Sequence, residues 1–264
     1  MQKNIPPSNL ARDSRFNRIT TGMRFGDPRQ MGEERRVSAE VVDADYRAVR
    51  MMHGIFVGEI QALEGAGRTC FDFEAGSGQS EIPFELKLDM ARQCWDEARH
   101  CEISIKLASH MGGDIGEFAE ATTLFEAACH PDPVFRLAGV NRALEGLAID
   151  VFTGMREFGV LMNDPVLEFC EDWMLADEVT HVRMGSRWLK DVTAKDPERR
   201  ARALEFQRTV DGLFNMRGAR SEDPDAPIRL ARNFREMAGF TSSEVDEIAA
   251  DSHAQRREVL SGAY

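Results

Sequence analysis

Two five-residue stretches carry the spacing in this chain that could do chemistry: Asp96-Glu97-Ala98-Arg99-His100 and Asp177-Glu178-Val179-Thr180-His181. In each, a carboxylate and an imidazole stand three residues apart, so on a helix they share one face a single turn from each other. A Glu and a His so placed can bind one metal ion together. Oxygen and nitrogen donors with no cysteine in the motif suit Fe or Mn better than structural Zn. Two such pairs predict the two halves of one dinuclear site. The aspartates that precede each Glu have a separate expectation. Across an antiparallel helix pair, Asp177 reaches the ring N–H of His100 and Asp96 that of His181, because metal-bound histidines usually donate that proton to a carboxylate.

The elements that must position these groups are helices. From about 43 to 73 the chain has no Pro, and Met52, Phe56, Ile60 and Leu63 fall on one stripe. Residues 74–80 read as a loop by composition, and Pro83 suits the first turn of a second helix that runs to about Met111 before Gly112-Gly113. Residues 114–131 read as a connection with a short helix over about 118–128. Asp132-Pro133, Asp164-Pro165 and Asp196-Pro197 are each an N-cap followed by Pro at the first helical position, opening helices that end near Leu161, Val192 and Asn215. Two shorter helices follow, over about 227–238 and 242–260, the second begun by the capping box Thr241-Ser242-Ser243-Glu244. There is no β-rich run, so the fold class is all-α. The first four helices are about 40–45 Å long at 1.5 Å per residue. A short first connection makes antiparallel neighbours, and a long second one can cross the end of a bundle. That is a ferritin-like four-helix bundle with one long crossover plus C-terminal helices. The expected organisation is a basic, mostly irregular arm over 1–38, the bundle over 39–195, and C-terminal helices packed on it over 196–264.

Such a bundle builds a dinuclear carboxylate site from a Glu-x-x-His on each of two helices and a lone Glu on each of the other two. The first helix offers Glu59, between Phe56 and Ile60, and the third offers Glu145, between Leu144 and Leu147. The expected metal ligands are therefore Glu59, Glu97, His100, Glu145, Glu178 and His181. Four glutamates balance two divalent ions, and without metal so many buried carboxylates are costly. His53 and His110 read as packed or capping residues, and Cys94 and Cys101 as core fillers.

Composition narrows the class. The net charge is −12, yet the first 36 residues are basic on balance through Arg12, Arg15, Arg18, Arg24 and their neighbours, so the rest is more acidic still. An acidic body disfavours nucleic acid as a partner. Five cysteines with no Cys-x-x-Cys suggest free thiols in a reducing cytoplasm, and no apolar run is long enough for a membrane span. The N-terminal residues lack the apolar core of a secretory signal.

These residues resemble the ferritin-like superfamily of di-iron carboxylate proteins, and within it a bacterial ferritin-like family of uncharacterised function, distantly similar to the tRNA hydroxylase acting on an isopentenyl-adenosine. The likeness rests on His53 with Glu59-Ile60-Gln61-Ala62-Leu63-Glu64, on Asp96–His100, on Glu145 with Asp150, and on Asp177–Val182 followed by Gly185-Ser186-Arg187-Trp188. A weaker tail match is Asn233-Phe234-Arg235-Glu236-Met237-Ala238-Gly239-Phe240. One departure is Gly146-Leu147-Ala148-Ile149-Asp150, where the family usually continues with Arg-Gly-Leu-Asp after the Glu.

The function expected is an O2-dependent di-iron oxidase or monooxygenase on a small organic substrate, with O2 as cosubstrate and Mn/Fe or Mn as alternatives to two Fe ions. A ferredoxin or reductase would supply electrons, Phe56, Leu63, Ile149 and Phe152 would line an apolar pocket, and a homodimer is compatible. A radical store is disfavoured, because Tyr46 lies about 20 Å along a helix from Glu59 and the other tyrosine is Tyr264. Alternatives are a ferroxidase or metal-binding stress protein without organic substrate, and a tRNA-modifying hydroxylase docking RNA through the basic arm.

Overall fold

The computed structural model describes Asn9 and residues 44–118, 120, 122–214, 220–224 and 226–250. The chain is mostly helical, with antiparallel helix pairs and a few two-residue strands. It divides into two compact units, Met1–His130 and Pro131–Tyr264. Apart from Asn9, whose N–H donates to Glu64 at 3.0 Å, the expected basic arm lies outside the described residues. No helix among the described residues is long and apolar enough to cross a membrane.

In the first unit, α1 (Ala44–Asp72) packs along α2 (Phe84–His110). The buried face of α2 steps through Leu86, Met90, Gln93, Glu97, His100, Ser104 and Leu107. Alternating steps of four and three keep these residues on one stripe, with the Glu and His at its middle. Pro83 stands at the N-cap of α2, one position earlier than expected. The 74–80 loop is closed by a two-residue parallel ladder, β1 (Glu74–Ala75) on β2 (Glu81–Ile82), which no apolar alternation announces. The Glu81 carboxylate accepts from the N–H groups of Ser77 and Gly78 at 2.9 and 2.8 Å. The connection after α2 contains α3 (Thr123–Ala128), shorter than expected. Two buried side chains of α1 hold it. Gln61 accepts from the Phe125 N–H at 3.1 Å, and His53 Nε2 accepts from the Gly116 N–H at 3.1 Å. The neutral His53 ring then carries its proton on Nδ1, 2.9 Å from Glu120. His110 is exposed at the end of α2.

In the second unit, Asp132 accepts from the Val134 N–H at 2.8 Å and Pro133 opens α4 (Pro133–Arg136). The expected single helix to about residue 161 is then interrupted. Leu137–Leu144 form a π segment, buried throughout, and α5 (Glu145–Met162) resumes on its far side. Such wide turns are uncommon and concentrate at functional sites. Asn163 ends α5 in the left-handed conformation, φ 53°, and Asp164 N–H closes back on Gly159 O at 2.9 Å. Asp164 in turn caps α6 (Pro165–Val192), accepting from Val166 and Leu167 N–H at 3.1 Å each. The stripe of α6 reads Leu167, Glu171, Met174, Glu178, His181 and Gly185. Its spacing repeats that of α2, with Glu and His at the same fourth and fifth places. α6 approaches the π segment so closely that a Cβ on Gly185 would lie 2.5 Å from that of Asn141.

α7 (Pro197–Phe214) packs on α4 and the π segment. The helix expected over 227–238 is shorter: β4 (Ile228–Arg229) pairs in parallel with β3 (Arg220–Ser221), and α8 (Arg232–Met237) follows. The capping box forms, with Glu244 N–H on Thr241 Oγ1 at 3.2 Å and Thr241 N–H on Glu244 at 2.8 Å. Residues 242–250 are helical, and the remaining expected length lies outside the described residues.

The two Asp-Pro caps make a testable contrast. Asp164→Ala removes a cap alone and is expected to cost about 1 kcal/mol. Asp132 also accepts from Arg199, through Nε at 3.0 Å and Nη2 at 2.6 Å. Asp132→Ala is therefore expected to cost at least about twice as much, because a largely buried guanidinium loses its counter-charge. Urea midpoints of the two variants measure the difference, and equal losses would show that Arg199 adds nothing.

Candidate metal centre

In the first unit, α1 supplies Glu59 and α2 supplies Glu97 and His100. All three are buried, at 5, 0 and 0 % exposure, and each offers a ligand atom within 4.8 Å of the others. His100 Nδ1 lies 2.9 Å from Glu59 Oε2 and 3.3 Å from Glu97 Oε2. The other Glu97 oxygen accepts from Gln93 Nε2 at 3.1 Å. Gln93 was not among the expected site residues. Its signal in the sequence is a polar residue on the apolar stripe one turn before Glu97.

In the second unit, Glu145 is the first residue of α5 and α6 supplies Glu178 and His181. These too are buried, at 4, 0 and 0 %, with ligand atoms within 4.8 Å of one another. His181 Nδ1 is 3.3 Å from Glu178 Oε2.

Each triad thus joins two carboxylates to one imidazole in a dry setting. With the imidazole neutral the set carries two negative charges, which a divalent cation balances and which burial alone penalises. The donor set fits a hard or borderline ion such as Fe(II) or Mn(II).

The neighbours of the two triads are legible in physical terms. Asp96 is buried and paired within its own helix to Arg99 and, at 3.3 Å, to Arg92. Asp177 is half-buried. Burial, reinforced by the Glu59 and Glu97 charges, holds the Cys101 thiol protonated, the state of an inert filler. Cys94 is half-buried, its thiol directed at Leu63 O at 3.7 Å and hydrogen-bonded to Cys70. Phe56, Ile149 and Phe152 are buried in their own units, and Leu63 is partly buried.

One buried cluster was not foreseen. Asp150, five residues after Glu145, receives Arg235 Nε at 2.9 Å and Nη2 at 2.7 Å, Arg220 Nη2 at 3.1 Å, and the Ala231 N–H at 2.9 Å. Arg220 also reaches Asp211 at 3.2 Å. Burial pushes the Asp211 carboxyl up, against the pull of Arg220 and Arg235. The tail stretch 233–240 meets this cluster through Arg235 and Phe240. Arg235 is the clamp, Gly239 turns at φ 100°, and the Phe240 ring lies against both Arg235 and Arg142, 5.0 and 4.5 Å from its centroid.

Residues 9–246 match the family described as a protein of unknown function (DUF455), and the chain belongs to that family. No curated protein and no solved structure matches the chain.

Proposed function

We propose that the two triads combine into one dinuclear centre, held by Glu59, Glu97, His100, Glu145, Glu178 and His181. On this reading the protein is an O2-dependent oxidase or monooxygenase that uses two iron ions on a small organic substrate. The observation that carries it is the repetition: each unit separately buries one Glu beside one Glu-x-x-His. A lone Glu-x-x-His on a helix is an ordinary surface pair, whereas two buried copies, each with its extra carboxylate, have no comparable structural use.

The chemistry such an iron pair supplies when bound is the reduction of O2 coupled to the oxidation of a substrate. The chain's own groups set the conditions for it. Buried stripes on α2 and α6 keep water from the carboxylates, which strengthens every charge interaction there. Gln93 fixes the orientation of Glu97. Asp96 and Asp177 serve, in the proposal, as the partners of the His181 and His100 ring N–H groups. Tyr46 stacks edge-on against Phe118, 5.8 Å between centroids, near the start of α1. That placement supports direct substrate oxidation over a stored tyrosyl radical. Electrons would come from a ferredoxin or reductase.

Metal analysis of aerobically purified protein tests the centre, together with Fe(II) addition under O2 followed by visible absorbance. The expected result is two ions per chain and a transient or persistent visible band. A chain that takes up no metal under either condition refutes the reading. Turnover of many irons per chain in a cage-like oligomer would replace it with a ferroxidase.

A further inference from the structure

The ligand Glu145 sits at a junction that its own helix does not determine. It directly follows the π segment, and a π turn carries more residues than an α turn. The direction in which its carboxylate leaves the helix therefore depends on where the first turn of α5 is pinned. The contacts on either side of Glu145 come from elsewhere in the second unit. Three residues before it, Arg142 donates to Gln207 at 2.8 Å and to Ser186 at 2.8 Å, and pairs with Glu244. One residue after it, Gly146 O accepts from Arg235 Nη2 at 2.7 Å. Five residues after it, Asp150 takes the fork of the same guanidinium. Phe240 lies against the Arg142 and Arg235 guanidinium groups.

Glycine at 146 lets Arg235 approach the backbone closely. A Cβ there would lie 3.0 Å from Arg235 Nη1 and 3.4 Å from Cζ, so the guanidinium would have to shift by a few tenths of an ångström.

We propose that Arg235 is a positioning residue for the metal ligand Glu145: by bridging Gly146 O and Asp150 it pins the first turn after the π segment and so aims the Glu145 carboxylate. The inference rests on the dinuclear reading given above. Lysine cannot replace it, since an ammonium offers no planar fork to span a carboxylate and a carbonyl at once.

The test titrates metal-free protein with Co(II), reading bound ion by equilibrium dialysis and the visible Co(II) spectrum. The wild type, Gly146→Ala, Arg235→Lys and Arg199→Lys are compared, each with its helix content from circular dichroism. Gly146→Ala displaces the guanidinium by a few tenths of an ångström without stripping Asp150 of charge, so it perturbs the clamp and spares the fold. The expected result is two ions in the wild type and in Arg199→Lys. In Gly146→Ala and Arg235→Lys one ion binds unchanged and the other about 10–100-fold more weakly, with an altered spectrum and unaltered helix content. Wild-type binding and spectrum in both clamp variants would overturn the proposal. So would a loss that tracks helix content, or one that Arg199→Lys shares. A wild type that binds no Co(II) refutes the dinuclear reading itself, an outcome distinct from all of these.

Discussion

Glu178→Gln, and separately Glu97→Gln, is expected to raise the melting temperature of the metal-free protein while removing most of the rise that a divalent ion gives the wild type. Both carboxylates are fully buried, each beside a second carboxylate and one imidazole. Without an ion, neutralising one of two crowded, buried negative charges relieves repulsion and desolvation. With an ion the sign reverses. A ligand at a thousandfold excess over its Kd stabilises a protein by about 4 kcal/mol. Losing one charged donor at a cost of at least about 100-fold in affinity removes about 2.7 kcal/mol of that. Thermal melts with and without Mn(II) or Fe(II), anaerobically for the latter, give both signs in one experiment. A variant that melts lower without metal and gains as much as the wild type with it would show that these glutamates are structural.

Asp150→Ala is expected to give the largest loss of stability of any single substitution in the second unit, about 3–5 kcal/mol. The carboxylate answers two arginines, Arg220 and Arg235, both fully buried, and one backbone N–H. Truncation leaves two buried cations facing Asp211 alone. Asp150→Asn is expected to do little better, because its amide presents N–H groups to a guanidinium that has only N–H groups to offer. Urea denaturation followed by circular dichroism measures the loss. A cost below about 1 kcal/mol would mean that the arginines find other acceptors once Asp150 is gone.

The difference between these two sites is also the difference between what the sequence discloses and what it hides. The metal-ligand candidates were legible because each Glu-x-x-His is local, and because Glu59 and Glu145 interrupt otherwise apolar stripes. The helix starts at Pro133, Pro165 and Pro197 were legible because Asp followed by Pro acts within a single turn. Arg220 and Arg235 were not, since their partner lies 70 and 85 residues away and no periodicity links them. The π segment hid for another reason. Leu137–Leu144 is apolar enough for an ordinary buried helix, and the helices it packs against, α6 and α7, lie far along the chain. The two-residue ladders escaped because four residues of backbone pairing leave no alternation to see. The helix expected over 227–238 failed at its start, where Leu230 N–H bonds Ser221 O and the backbone is committed to a strand pair.

The two-residue junction at Asn163 and Asp164 bears on how the chain reaches this state. Both ends of that turn are capped by their own residues, so α5 and α6 can meet at almost no loop-closure entropy. Contacts so close in sequence form early in folding, ahead of those that span the chain. Glu145, Glu178 and His181 all ride on this hairpin. The second triad thus sits on elements adjacent in sequence, whereas the Arg235 partner of Asp150 lies 85 positions further along. In refolding, the α5–α6 contacts are therefore expected to form before the Asp150–Arg235 pair, an order that pulse-labelled hydrogen exchange would read.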